Sequence, residues 1–170
     1  MEKKEDNSNK QPQNTHTYLE THGDYRMREL DKSDLEQFNA LLAYAFQVTS
    51  YELLQTGWEE DEFKYAKRPI LEEAYVLGWF YKDRLASMIV VYSMKVNIHD
   101  NIMDMGGITG VATYPEYTGR GLIHSLMRRA INYMHEQDFS ISFLYPYSIP
   151  FYRKMGWEIV YYKITFTIKE

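Results

Sequence analysis

The sequence contains no cysteine, which excludes disulfides, thiolate metal sites and a cysteine nucleophile. That composition suits a cytoplasmic protein. No apolar run approaches the ~20 residues that a membrane span needs, and the N-terminus lacks the apolar core of a secretion signal. No membrane partner is expected. Basic charge is also in deficit, since 19 Lys and Arg stand against 24 Asp and Glu for a net −5. A general nucleic-acid binder carries the opposite balance, so no nucleic-acid partner is expected, although a local basic cluster can still hold a small anion. His16, His22, His99, His124 and His135 have no metal-ligand spacing, and no metal is assigned.

What is present fits one domain of 170 residues, long enough for a sizeable core. Residues 1–23 are rich in Lys, Asn, Gln and Glu with almost no large aliphatic side chain. Such a segment cannot offset its ordering entropy. It is expected to be a flexible polar tail before a single domain over 24–170. The alternation of YRMREL (25–30) predicts a half-buried strand, and Ser33 and Glu36 have capping-box spacing. Leu35, Phe38, Leu41, Leu42, Ala45 and Phe46 then mark one face of a helix running to about residue 47. Residues 50–67 read as one or two more helices.

The period changes in the middle of the chain. Residues 75–81, 84–99 and 102–114 are rich in β-branched and aromatic residues, separated by short turn-forming steps. They predict an antiparallel three-stranded meander. Leu122, Ile123, Leu126, Met127, Ala130, Ile131 and Met134 predict a helix to about Gln137. A strand over 139–145 follows, then a short helix with Pro150 in its first turn and Gly156 at its end, then a terminal strand from Trp157. The order βααβββαβαβ is that of an α/β (α+β) sheet with helices packed on it.

The stretch GVATYPEYTGRGLIHSLM (110–127) joins a strand to an amphipathic helix through a glycine-bracketed basic loop. Free N–H groups and the positive end of the dipole make such a helix start an anion site. Gly119 and Gly121 would let the backbone approach a phosphate, and Arg120 adds charge. On this spacing alone, an ordinary turn with packing glycines is the better account.

The wider context reverses that weighing. GGITGVATYPEYTGRGLIHSLM followed by FLYPYSIPFYRKMGWEIV resembles the GCN5-related N-acetyltransferase superfamily, most nearly the N-terminal acetyltransferase domain of the enhanced-intracellular-survival family. The resemblance runs over about 24–168. It implies the acyl-CoA N-acyltransferase fold, a mixed, mostly antiparallel sheet flanked by helices, with acetyl-CoA as cosubstrate. It places Val111, Ala112 and Thr113 along the acetyl-pantetheine arm, and Gly119, Arg120, Gly121, Leu122 and Ile123 around the pyrophosphate. Thr118 and Ile123 stand where the superfamily commonly has Arg or Gln and Gly or Ala. Tyr152, four residues before Gly156, matches the tyrosine beside the cofactor sulfur; a phenol of pKa about 10 can protonate the departing thiolate. Ser148 would contact the cofactor or cap its helix. Arg128 and Arg129 would meet the 3′-phosphate or lie on a solvated face, and the acidic run 59–62 would draw a cationic amine or simply start a helix in water.

These features imply direct transfer of acetyl to a primary amine of an aminoglycoside, polyamine or peptide, with a backbone N–H near Val111 facing the oxyanion. They leave the base unnamed and a homo-oligomer open. A different class of reading also stands: an acetyl-CoA-binding regulatory module, or one domain of a longer enzyme of the enhanced-intracellular-survival type, without turnover of its own.

Overall fold

The computed structural model describes residues 17–47 and 68–162. The helices expected over 50–67, with the acidic run 59–62, lie outside the described residues. So do residues 1–16 of the expected tail. The end of that tail is ordered, however: β1 (Glu20–His22) pairs antiparallel with β2 (Tyr25–Glu29) around a turn in which Gly23 has φ +57°. After β2 come a 3-10 turn (Lys32–Asp34), α1 (Leu35–Ala45), α2 (Arg68–Glu73), β3 (Tyr75–Tyr81), β4 (Arg84–Ile98) and β5 (Asn101–Thr113). A second 3-10 turn (Pro115–Tyr117), α3 (Leu122–Glu136), β6 (Ile141–Leu144) and α4 (Ile149–Arg153) complete the order.

The six strands among the described residues form one sheet in sequence order. Every neighbouring pair is antiparallel except β5 and β6, which are parallel. A parallel pair needs a crossover, and α3 is that crossover. The expected α/β architecture and meander are therefore present.

Alternation along the strands divides the core between the two faces of the sheet. Leu77, Trp79, Ile89, Val91 and Ile108 pack with Leu122, Leu126, Met127, Ala130 and Met134 of α3 and with Tyr152. Val76, Phe80, Met88, Val90 and Ala112 pack with Phe38 and Leu41 of α1 and with Leu71 of α2. A Trp79 Nε1 hydrogen bond to Ser125 Oγ at 2.7 Å ties α3 to β3. Gln37 of α1 ties the other layer to the β3–β4 turn, donating to the Asp83 carbonyl at 3.1 Å and accepting from the Leu85 N–H at 2.7 Å.

Two local expectations are corrected. The capping box is not Ser33 with Glu36 but Asp31 with Asp34: Asp31 Oδ1 accepts from the Ser33 N–H at 2.7 Å, and the Asp31 N–H donates to Asp34 Oδ2 at 3.0 Å. The buried Arg28 guanidinium decides this. It holds Asp34 bidentately at 2.6 and 2.7 Å while its Cζ lies 3.8 Å from the centre of the Phe80 ring, and a bidentate pair fixes orientation as well as distance. The terminal strand expected from Trp157 is not formed over 157–162, and the rest of it lies outside the described residues. β-Propensity alone does not make a ladder, which also needs a partner in register.

Candidate active site

The site begins where β5 loses a partner. Its pairing with β6 runs from Met105↔Ile141 to Ile108↔Leu144 and stops, while β5 continues along β4 to Thr113. Among the described residues, Thr109–Thr113 therefore have a partner strand on one side only. On that other edge, backbone groups are open to a ligand, since unpaired N–H and C=O groups seek partners.

A β-bulge sits in this half-paired stretch. Met88 faces Ala112 and Val90 faces Thr109, so Gly110 and Val111 together oppose one residue of β4. Gly110 takes φ +57°, and a Cβ there would come within 2.8 Å of Val90 Cγ2; only glycine meets both demands. The extra residue resets which way the following side chains point. Val111 returns to the α3 face, packed against that core, and Ala112 is buried on the α1 face. Sequence reading missed this bulge. The one available signal was a lone glycine inside a strand pattern. Ser87 Oγ pins the end of β5, donating to the Ala112 carbonyl at 3.1 Å and lying 2.7 Å from Thr113 Oγ1.

The loop that follows is held open by its glycines. Gly119 and Gly121 adopt φ +73° and +76°, and a Cβ built on either meets nothing within 4 Å. Here glycine is required by conformation, and the space outside it is free. Gly121 is the N-cap of α3 and offers no side-chain cap, so the first N–H groups, those of Leu122 and Ile123 among them, lack the usual capping oxygen. A 15-residue helix directs its positive end at this point. This is a good fit for a phosphate group.

Thr118 and Ile123 have structural employment. Thr118 closes the preceding turn through its N–H and hydroxyl, both to the Pro115 carbonyl, at 3.1 and 2.8 Å. Ile123 packs on the α3-side core. Arg120 turns back, donating to the Glu116 carbonyl at 3.3 Å with its Cζ 5.9 Å from the Tyr25 ring centre. Tyr25, Tyr81 and Tyr117 form an aromatic base beneath it, with centroids 5.0 to 6.2 Å apart. Arg129 pairs with Glu136 at 2.9 Å, and its charge acts on the nearby Tyr75; Arg128 is exposed.

Tyr152 lies in the same packed cluster as Leu122 and Leu126, against which Val111 and Ile123 also rest. Phe151 bridges the helices, with its ring centre 6.0 Å from that of His124 on α3 and 5.1 Å from that of Tyr152. His124 is thus a solvent-exposed residue with an aromatic contact. Ser148 starts α4 through its carbonyl, which accepts from the Phe151 and Tyr152 N–H groups at 3.1 and 3.3 Å. Its side chain makes no cap, so capping does not account for the hydroxyl. Burial raises the Tyr152 phenol above its usual pKa, so the group is protonated and able to donate at neutral pH. A separate apolar cavity of about 740 Å³ opens beside Tyr152, among α3, β6, α4 and 157–162. None of Val111–Ile123 lines it, so it is distinct from the glycine cradle.

Among the described residues there is no cluster of three metal-ligating side chains, and no described helix is long and apolar enough to cross a membrane. No curated protein matches the chain. Solved structures do. One is a conserved protein of unknown function from Enterococcus faecalis, named a probable N-acyltransferase, with 28% identity and TM-score 0.69 over 79% of this chain and 32% of that one. The chain therefore spans about a third of that protein's length. Another is a GCN5-related N-acetyltransferase from Ralstonia eutropha, with 20% identity and TM-score 0.68 over 85% of this chain and 98% of that one. A predicted acetyltransferase with acetyl-CoA from Clostridium acetobutylicum has the same fold at 16% identity and TM-score 0.64, over 84% and 96% of the two chains. The profile of the acetyltransferase (GNAT) domain matches residues 26–160, and the chain belongs to that family.

Proposed function

We propose that the protein is an N-acetyltransferase that moves acetyl from acetyl-CoA to a primary amine by direct attack. The observation that carries this reading is the parting of β5 from β6 after Ile108↔Leu144, beside a helix start whose Gly119 and Gly121 leave open space. In this reading the backbone of Val111, Ala112 and Thr113 aligns the pantetheine arm. The N–H groups of Gly119–Ile123 neutralise the pyrophosphate, and Ser148 supplies a hydroxyl from the facing helix. A backbone N–H near Val111 faces the carbonyl oxygen as it gains charge, where preorganised donors are most effective. The neutral amine nitrogen forms the new C–N bond and releases one proton to water, while the C–S bond breaks and Tyr152 donates its phenolic proton to the departing sulfur, to be reprotonated from solvent. Holding both reactants on one sheet edge replaces an encounter with a positioned attack.

Titration calorimetry with CoA, paired with a thiol-release assay on polyamines and aminoglycosides, tests the reading. Binding with turnover is expected. A second reading, an acetyl-CoA-binding domain of a longer protein similar to the enhanced-intracellular-survival family, is favoured by one fact: the chain matches only 32% of the Enterococcus faecalis relative. Binding without turnover would support it. Absence of binding would overturn both.

A further inference from the structure

The two faces of the sheet divide the reaction. Tyr152 belongs to the α3 face, so the leaving sulfur belongs there, and the face carrying α1 and α2 is left for the incoming amine. On that face the strands place a small group of side chains at the point where β5 and β6 part. Thr109 is exposed and is the first residue of β5 beyond the last β6 pair. Its partner Val90 is buried among α1 and α2 residues, which puts Thr109 on the same face. Tyr92 pairs with Gly107 and is half-buried against that core. The missing side chain at Gly107 is filled by Met94, whose Sδ would lie 2.7 Å from a Cβ there, with Tyr92 Cβ 3.8 Å away. Thr109 and Tyr92 are diagonal neighbours across the ladder, a separation that long side chains bridge. β3 begins with Tyr75 opposite Val91, so the end of α2 comes alongside Tyr92: Ala74 packs on the same cluster, and Glu73, the last residue of α2, is near enough for its charge to act on the Tyr92 phenol. Glu73 is exposed and has no ion-pair partner among the described residues, whereas its neighbour Glu72 is paired with Lys32 at 2.9 Å.

We infer that Thr109, Tyr92 and Glu73 form the acceptor subsite, and that it takes a substrate with more than one amine: one nitrogen at the thioester near Thr109, and a second, cationic nitrogen on the Glu73 carboxylate. Tyr92 spans the two positions, its hydroxyl ready to accept from the bound ammonium and its ring face able to hold a cation. Burial, with the Glu73 charge nearby, raises the Tyr92 phenol, so the side chain stays neutral beside a carboxylate. The inference rests on the acetyl-transfer reading and deepens it.

The test compares cadaverine with n-pentylamine, which differ by one terminal amine, in a CoA-release assay at saturating acetyl-CoA. A partly exposed charge pair is worth up to about fivefold in affinity. Wild-type protein should therefore favour cadaverine in kcat/KM by about fivefold. Glu73→Gln should erase that preference through KM, with kcat and the values for n-pentylamine little changed. Glu73→Asp should restore part of the preference. Equal handling of the two amines by wild-type protein, or a Glu73→Gln effect of the same size on both, would overturn the assignment. So would turnover of neither amine by protein that still binds CoA. Failure to bind CoA is a different result, and it would remove the acetyl-transfer reading itself.

Discussion

The α3 face of the sheet and the α1 face reach the same strand edge by different means. The proposed cofactor groups arrive in two contiguous runs, Val111–Ile123 and Ser148–Tyr152, which apart from Ala112 serve the α3 side, and one helix dipole serves the first of them. On the α1 face the proposed acceptor groups arrive singly, from α2, β4 and β5, and meet only through register. A phosphate needs several N–H donors in a row, and a loop entering a helix provides these from adjacent residues. An acceptor amine needs a few separated contacts, which any strand at the right register can offer. One face is therefore written as a motif and the other as a pattern of pairing.

Gly110 is the point where both faces depend on one residue, and its replacement should have the largest effect. Gly110→Val imposes a left-handed conformation on a β-branched residue and drives its side chain into Val90 Cγ2, 2.8 Å from the first added carbon. Left-handed strain of ~1–2 kcal/mol and overpacking of ~1–3 kcal/mol add to about 3 kcal/mol. For a domain of this size the Tm should fall by about 6–12 °C, read by thermal unfolding. An unchanged Tm would mean that the bulge relaxes and does not fix the edge.

Tyr152→Phe addresses the α3 face alone. It keeps the ring in the core and deletes the proton, so kcat should fall about a hundredfold while CoA affinity by calorimetry is unchanged. Because burial raises the phenol, the proton is held below the usual tyrosine pKa of about 10. Any alkaline fall in kcat due to this group should then begin only above pH ~10. Equal losses in kcat and CoA affinity would show that the residue packs and does not donate. Gly121→Ala is expected to act next in size. It forces alanine to φ +76° with no steric clash, so strain of ~1–2 kcal/mol should weaken CoA binding by about tenfold if the loop relaxes out of its cradle shape. A binding constant unaltered by Gly121→Ala would detach this loop from the cofactor.

Periodicity made most of the fold legible. The meander, the crossover helix and the short helix before Gly156 follow from runs of like period, and strong periodicity survives folding because burial enforces it. The capping box escaped because its selection is tertiary: Arg28, on β2, holds Asp34, and no local spacing announces that. The bulge at Gly110 escaped because it is a relation between two strands, visible only when Met88↔Ala112 and Val90↔Thr109 are counted together. Tyr92 escaped for the same reason. As one of sixteen tyrosines it carries no motif, and its place opposite Gly107 is set by register. Ser148 stood between two accounts in the sequence, and the absence of a side-chain cap removes one.

Arg120 sharpens the contrast from the other direction, since it is a charged residue inside the motif that the geometry assigns little of the binding. Its guanidinium is directed to the Glu116 carbonyl and the Tyr25 ring. The proposed cradle is built instead from backbone N–H groups, which only a replacement by proline would remove. A solvated charge near a phosphate contributes weakly once screened by salt, so Arg120→Ala should weaken CoA binding by less than about threefold, an effect of the size expected for an exposed charge pair. Calorimetry at 0.05 and 0.5 M salt would check this, with the wild-type and variant constants converging at the higher value. A tenfold or greater loss would mean that Arg120 leaves Tyr25 when the cofactor binds, and that side-chain charge shares the work credited to the backbone.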